Sequence, residues 1–200
     1  QNINFIFVKK LLKYINSSKL KVRLIHLSSV AVYGGAENYI DQSKIITENT
    51  RTKAKSLYSH NKLKAEKIIK NTIKKNLNKN FSFTILRISN VFGKKTNSNL
   101  FNFVKFSLKF GFWIKTSNKI VYNFINVMDV AQSVNLIVSK LDISKNKIYI
   151  VSDDFKQHEL IKVYQKFFGK KIMNILLPIS FIKFLVKFLP LSKLILNFIL

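Results

Sequence analysis

A tyrosine and a lysine stand four residues apart in the segment Tyr58-Ser59-His60-Asn61-Lys62. On a helix, side chains at this spacing share one face, so the Tyr58 phenol and the Lys62 ammonium would be neighbours. A free phenol has a pKa of about 10 and is a poor base at neutral pH, but a nearby ammonium stabilises the phenolate. The pair is therefore a candidate proton-transfer unit, and the alternative is a surface tyrosine that covers a lysine stem.

Two further groups of polar residues follow strand-like segments. Ser28 and Ser29 end the apolar run 22–27, and Ser89 and Asn90 follow the β-branched and aromatic run 81–88. In open α/β sheets, ligands bind at the carboxyl ends of the strands. Each of the three patterns is a weak signal alone. Together, and each on a suitable element, they are a much more specific signal and predict one shared site.

The hydrophobic pattern alternates between helical and strand-like segments. It predicts helices over 2–15, 54–77, 100–110, 128–139 and 158–168, and strands over 22–27, 81–88, 120–125 and 147–151. Gly169 is predicted to cap the last helix. The predicted inner face of the second helix consists of Leu57, Ala65, Ile68, Ile69 and Ile73. This alternation predicts an α/β fold with a parallel sheet and helices on both of its faces.

The composition fits a folded domain and excludes several kinds of site. Apolar residues make up 48% of the 200 residues, which is enough for a core. There is no cysteine and there are only three histidines, so we expect no disulfide scaffold, no thiol catalysis and no metal centre. The net charge is +26, but lysine rather than arginine supplies nearly all the basic residues. Because proteins that read bases favour arginine, we expect compositional bias and no nucleic-acid partner, with a polyanion-binding surface as the alternative.

Taken in order, the motifs resemble those of the extended short-chain dehydrogenase/reductase family, the NAD-dependent sugar epimerases and dehydratases. Residues 28–34 are similar to the family pattern Ser-Ser-x-x-Val-Tyr-Gly, and Tyr58 with Lys62 matches Tyr-x-x-x-Lys. Residues 86–93 resemble Leu-Arg-x-x-Asn-Val-Tyr-Gly, and residues 124–131 resemble Phe-Ile-His-Val-x-Asp-Val-Ala. The resemblance implies a Rossmann-like, doubly wound parallel sheet with a small C-terminal substrate-binding region.

The resemblance covers nearly all of this chain but only the latter two-thirds of the family's fold. The sequence starts at Gln1, and its five glycines cannot form the family's Gly-x-x-Gly-x-x-Gly pyrophosphate loop. We therefore expect the first βαβ portion to be missing. Residues 1–89 would then be the C-terminal half of the NAD(P)-binding Rossmann domain. Residues 90–200 would form the substrate-binding region, with interleaved Rossmann elements and an apolar helical tail.

The resemblance also implies roles for individual residues. Tyr58 would be the acid/base, Lys62 its electrostatic partner and a ribose ligand, and Ser29 would hydrogen-bond the reacting sugar oxygen. The implied chemistry removes a proton from a sugar hydroxyl as hydride passes to NAD, which gives a keto-sugar. Return of the hydride to the other face inverts the carbon, whereas transfer without return is the reaction of a dehydrogenase or reductase.

Three asparagine or serine residues would complete the site under the same resemblance. Ser89 would lie along the nicotinamide and Asn90 would face the substrate, while Asn4 falls on the helix at the nicotinamide side. The choice between NAD and NADP stays open, because it is made in the missing portion.

Departures from the family's patterns narrow the predicted reaction. Val30 and Ala31 stand where dehydratases carry Asp-Glu, so dehydration is disfavoured. The leading prediction is an NAD(P)-dependent nucleotide-sugar epimerase or keto-reductase/dehydrogenase, and the late segment resembles members acting in polysaccharide or lipid-linked sugar synthesis. The alternatives are a family oxidoreductase acting on a non-sugar ketone or alcohol, and a non-catalytic, membrane-associated binding member.

The C-terminal stretch 175–200 is strongly apolar but is interrupted by lysines and prolines. It lacks the ~20 uninterrupted apolar residues that a membrane-spanning helix needs. We predict a pair of helices that cover a core, with an amphipathic segment in a membrane interface as the alternative. The expected location is the cytoplasm, and a homodimer of the parent enzyme stays open.

Overall fold

The computed structural model describes residues 3–18, 20–34, 45–75, 79–93, 107, 109–115, 121–169 and 171–178. The chain forms two compact units that are interleaved in sequence. The first consists of residues 1–89 and 127–152, and the second of residues 90–126 and 153–200.

The helices of the described residues are α1 (Ile3–Ser17), α2 (Leu57–Lys74), α3 (Val127–Ser139), the short α4 (Leu141–Ser144) and α5 (Gln157–Phe168). The strands are β1 (Val22–Ser29), β2 (Phe81–Ile88), β3 (Asn90–Phe92), β4 (Phe112–Lys115), β5 (Val121–Asn126), β6 (Lys147–Val151), β7 (Asp153–Lys156) and β8 (Met173–Leu176). A single 3₁₀ turn, Val30–Tyr33, follows β1 directly.

The first unit is built around a parallel sheet in the order β1-β2-β6. Helices α1 and α2 pack on one face of it through a buried apolar cluster consisting of Val8, Leu12, Ile15, Ala65, Ile69, Phe81, Phe83 and Ile85. On the other face, the Arg23 guanidinium donates to the hydroxyls of Thr84 (3.0 Å) and Ser144 (2.7 Å), which joins the sheet to α4. The predicted α/β fold with helices on both faces is confirmed.

Most predicted elements of the first unit are present, and two details differ. Helix α2 begins at Leu57 rather than at residue 54, because Ser56 caps it. Leu57 is 63% exposed, so its assignment to the inner face was wrong. The other members of that face, Ala65, Ile68, Ile69 and Ile73, belong to the core as predicted.

Within its described residues, the second unit contains two small sheets. Strand β5 pairs in parallel with β3 and antiparallel with β7, and β4 pairs in parallel with β8. Trp113 is fully buried and packs with Ile161 of α5 and Ile172. Gly169 ends α5 with a φ of 64°, as its predicted role as a C-cap requires.

The remaining sequence predictions fall largely or wholly outside the described residues. The predicted helix over 100–110 lies mostly there, as does the tail from residue 179 to residue 200. Among the described helices, none combines the length and the apolar character that crossing a membrane requires. Across the described ranges, no cluster of three or more histidine, aspartate or glutamate residues is placed to hold a metal ion.

Candidate active site

Tyr58 lies in the first turn of α2, and the helix start that carries it is fixed by a capping box. The Ser56 hydroxyl accepts a hydrogen bond from the Ser59 amide at 3.1 Å, and the Ser59 hydroxyl accepts one from the Ser56 amide at 3.0 Å. These bonds satisfy amide groups that a helix start leaves unpaired. The Tyr58 side chain is 51% exposed, so its phenol is open to a ligand.

Lys62 joins Tyr58 to the end of β1. Its Nζ donates a hydrogen bond to the Leu27 carbonyl oxygen at 2.8 Å and lies 5.7 Å from the centroid of the Tyr58 ring. Burial lowers the pKa of Lys62, because taking an ammonium out of water disfavours its charged form. An ammonium has three donors, so the bond to Leu27 leaves two for a phenolate or a sugar hydroxyl.

Ser29 is the last residue of β1 and caps the 3₁₀ turn that follows. Its hydroxyl oxygen accepts a hydrogen bond from the Ala31 amide at 3.2 Å. That bond orients the oxygen and leaves the hydroxyl proton available to a ligand. Leu27, which holds the Lys62 ammonium, lies two residues earlier on the same strand. No hydrogen bond joins Ser29 to Tyr58 within the described residues; the interaction that the structure does show is that of the Lys62 ammonium with the Tyr58 ring.

Ser89 directly follows β2, at the end of the central strand of the first sheet. Its amide donates to the Val151 carbonyl at 3.0 Å, which fixes the backbone. Its side chain is buried, and its hydroxyl has no hydrogen-bond partner in the described part of the chain. A buried polar group without a partner is costly, and this hydroxyl is available to a ligand; the role of Ser89 in binding the cofactor stays a prediction.

The structure gives less information about the other two predicted binding residues, Asn90 and Asn4. Asn90 opens β3, is exposed, and belongs to the second unit. Asn4 lies on α1, but its side chain is outside the described residues. Their proposed contacts with substrate and cofactor stay predictions.

The sequence reasoning missed a buried charge network beside these residues. The Glu66 carboxylate accepts bonds from Arg87 Nε at 3.1 Å and Nη2 at 2.7 Å, and from the Ser28 hydroxyl at 2.6 Å. Arg87 Nη1 also donates to the Tyr33 hydroxyl at 2.5 Å, and Tyr33 donates to the Thr47 carbonyl at 3.0 Å. The network thus connects the first and third motifs of the sequence with α2, the helix that carries Tyr58 and Lys62.

The charges in this network are held in place by their partners. Burial alone would lower the pKa of Arg87, but the hydrogen bond and charge of Glu66 outweigh it and raise the pKa overall. Burial raises the pKa of Tyr33, against the opposing effect of Arg87, so its phenol stays neutral.

Two signals in the sequence could have revealed the network. Glu66 follows Lys62 by four residues, which extends the Tyr58 and Lys62 face of α2 by one more turn. Arg87 is the only charged residue in the strand Phe81–Ile88, and a charge inside an apolar strand requires a buried partner.

His26 is a buried neutral residue near this network. Burial, followed by the charge of Lys62, lowers its pKa to about 4, against an opposing effect of Glu66. Its Nε2 atom has no hydrogen-bond partner among the described residues. The charges of Lys62 and Glu66 on α2 therefore affect the pKa of His26 in β1.

Fold and site together define the class of this protein. The fold is that of a Rossmann-like α/β protein, because helices cover both faces of a parallel sheet. A serine ends one strand, and the next helix carries a tyrosine–lysine pair. The chain belongs to the NAD dependent epimerase/dehydratase family, whose model matches residues 1–152.

Solved structures with the same fold share little sequence with this chain. RMD from Pseudomonas aeruginosa, complexed with NADPH, is 16% identical, with a TM-score of 0.65 over 86% of this chain and 61% of that one. UDP-glucuronic acid 4-epimerase from Bacillus cereus, in complex with UDP-glucuronic acid and NAD, is 19% identical, with a TM-score of 0.66 over 88% and 54%. The dTDP-glucose 4,6-dehydratase from Bacillus anthracis, in complex with NAD, is 19% identical, with a TM-score of 0.65 over 86% of this chain and 55% of that one.

The chain therefore spans between 54% and 61% of the length of these three structures. A comparison with curated proteins found no match.

Proposed function

We propose that this chain carries the catalytic residues of an NAD(P)-dependent enzyme that acts on a nucleotide-sugar as an epimerase, keto-reductase or dehydrogenase. The observation that supports this most is the position of Lys62. Its ammonium lies against the Tyr58 ring while a hydrogen bond to Leu27 O fastens it to the end of β1. A surface lysine that merely lay over a tyrosine would not need to be tied to a neighbouring strand by a backbone acceptor.

The residues present fit the nicotinamide-ribose end of the cofactor. The hydroxyl of buried Ser89, which has no partner among the described residues, and the two remaining Lys62 donors are the groups that would hold it. When bound, the cofactor supplies hydride transfer, and the protein supplies orientation and the proton. The chain contains no glycine-rich loop to hold a pyrophosphate, so the fit concerns this end of the cofactor alone.

The chain's own residues then handle the proton and the sugar oxygen. Tyr58 takes the proton from the reacting hydroxyl, and the Lys62 ammonium stabilises the phenolate. Ser29, with its oxygen oriented by the Ala31 amide, donates a hydrogen bond to the same sugar oxygen. These steps run in reverse when a keto-sugar is reduced.

The substrate class is proposed by analogy with solved relatives. One of them was crystallised with UDP-glucuronic acid and another with UDP-glucose. We do not propose dehydration, because Val30 and Ala31 carry no group that exchanges protons. A cytoplasmic location, a homodimer and a membrane contact through 175–200 stay predictions.

Substitution of Tyr58 tests this proposal. In the full-length protein, supplied with NAD or NADP and either UDP-glucuronic acid or UDP-glucose, Tyr58→Phe is expected to lower turnover at least about 100-fold. Affinity for the cofactor should change little, because the ring is kept. Tyr14→Phe is the matched control, because Tyr14 is an exposed tyrosine of α1. Turnover retained in Tyr58→Phe would refute the proposed role.

A further inference from the structure

Two successive turns of α2 are tied to two successive residues of β1. Lys62 Nζ donates to the Leu27 carbonyl at 2.8 Å, and one turn later the Glu66 carboxylate accepts from the Ser28 hydroxyl at 2.6 Å. An α-helix advances about 1.5 Å and turns about 100° per residue. A slip of α2 by one residue would therefore break both bonds and move Tyr58 away from the end of β1.

A bidentate ion pair ties the same turn of α2 to β2. Glu66 and Arg87 are 0% and 2% exposed, and the guanidinium makes two bonds to the carboxylate, at 3.1 Å and 2.7 Å. This fork geometry fixes direction as well as distance, which a lysine at position 87 could not do.

The other side of the guanidinium holds the chain beyond β1. Arg87 Nη1 donates to the Tyr33 hydroxyl at 2.5 Å and to the Glu48 carbonyl at 3.2 Å. The Glu48 side chain in turn accepts a bond from the Ile150 amide of β6 at 2.9 Å. Arg87 thus connects α2 with the turn that follows β1. Through Glu48, it is also linked to β6.

Stability alone is a poor explanation for such a buried pair. Replacing a buried ion pair by apolar residues of similar volume is often neutral or stabilising, because desolvation of the two charges offsets their attraction. Directional bonds can in addition fix a register, which apolar contacts specify less strongly because they have no direction.

We propose that Glu66 and Arg87 are positioning residues that set the register of α2 against β1 and β2, and so place Tyr58 and Lys62 relative to Ser29. The consequence for catalysis rests on the proposed function. The register itself is a property of the fold and can be measured without it.

The decisive variant removes the network without leaving a buried charge or donor unpaired. Ser28→Ala/Glu66→Leu/Arg87→Met replaces all three groups with apolar side chains. Single substitutions such as Glu66→Gln are expected to lower the unfolding temperature strongly, because they leave Arg87 buried without its charged partner. The triple variant should recover most of that loss. Lys70→Met is the matched control, because Lys70 is a half-exposed lysine 3.9 Å from Glu66 that adds a peripheral contact only.

Turnover of the triple variant separates positioning from stability. We expect kcat in the full-length protein to stay at least about 10-fold below wild type after stability has returned, because small misplacements of catalytic groups cost up to about 100-fold in rate. KM should change less than kcat, whereas the dissociation constant for the cofactor should rise, because the misplaced Lys62 is also its proposed ribose ligand. A triple variant that recovers both stability and kcat would overturn the proposal.

A second readout does not depend on activity. Nuclear Overhauser contacts between the Lys62 side chain and Leu27 report the register of α2 against β1 directly, because the two residues lie on different elements. The proposal requires these contacts to weaken or vanish in the triple variant and to persist in Lys70→Met. Unchanged contacts would overturn it even if the wild type proves to lack the proposed activity.

Arg87→Lys serves if the triple variant fails to fold. It keeps the charge but loses the fork, so we expect the ion pair to persist while kcat falls about 10-fold and the Lys62–Leu27 contact weakens. Wild-type kcat together with intact contacts in Arg87→Lys would count against the proposal.

Discussion

The Nζ atom of Lys62 lies 2.8 Å from the carbonyl oxygen of Leu27, to which it donates a hydrogen bond. This one bond fixes an otherwise flexible side chain at the point where β1 ends. Because the ammonium cannot swing into solvent without losing it, the cation stays beside the Tyr58 ring, whose centroid is 5.7 Å away. Helix and strand therefore meet at the group on which the proposed chemistry depends.

The role of Lys62 can be tested by removing its charge. In Lys62→Met we expect turnover to fall at least about 100-fold and affinity for the cofactor to weaken, because the phenolate and the ribose lose the same donor. Steady-state kinetics and a cofactor titration measure the two effects. Lys64→Met, an exposed position on the same helix, is the control and should leave both unchanged. Turnover in Lys62→Met equal to that of the control would rule out the assigned role.

Ser29 should be needed for its hydroxyl rather than for its shape. Ser29→Ala removes both the donor to the sugar oxygen and the cap on the Ala31 amide, and we expect kcat to fall about 10- to 100-fold. Ser29→Thr keeps the hydroxyl and should retain most of the activity. Kinetics of the two variants side by side measure the contribution of the hydroxyl. Equal losses in both would point to packing around residue 29 instead.

Ser89 offers a test of cofactor binding that separates affinity from stability. Its hydroxyl has no partner among the described residues, so Ser89→Ala should unfold at the same or a higher denaturant concentration. If the hydroxyl binds the cofactor, the dissociation constant should rise about 3- to 10-fold, as expected for one hydrogen bond. Ser82→Ala, at the other end of β2, should leave the affinity unchanged. Unaltered affinity in Ser89→Ala would exclude the contact.

His26 should make the fold less stable in mild acid. Its pKa in the folded state is about 4, below the usual 6.5, so the unfolded chain binds the proton first as the pH falls. The contribution is fully present above about pH 6.5 and is lost towards pH 4, at a cost of about 3 kcal/mol from this group. Denaturant unfolding at several pH values should show that component in wild type and in His60→Gln, whose site is exposed. His26→Leu should lack it, and parallel pH curves for all three proteins would contradict the assignment.

The sequence by itself determined the local features of the fold. The helical spacing of apolar residues in 54–77 and the apolar runs 22–27 and 81–88 indicate which faces must be buried. Burial of this apolar surface stabilises both the helix and the strands. The same local rules predicted Tyr58 and Lys62 on one helix face, because that contact lies within a single turn. Gly169 could be predicted to end α5, since only the local backbone conformation matters there.

Only the tertiary structure decided which distant groups meet. The strands β3, β4, β7 and β8 have three or four residues each, too few for a periodic pattern, and they exist because a partner strand lies beside them. Glu66 and Arg87 are 21 residues apart; the sequence indicates that a strand arginine needs a buried partner, but not that this partner is Glu66. The bond of Lys62 to Leu27 spans 35 residues in the same way. Such pairings follow from how the helix packs across the sheet, which depends on the whole core rather than on any one segment.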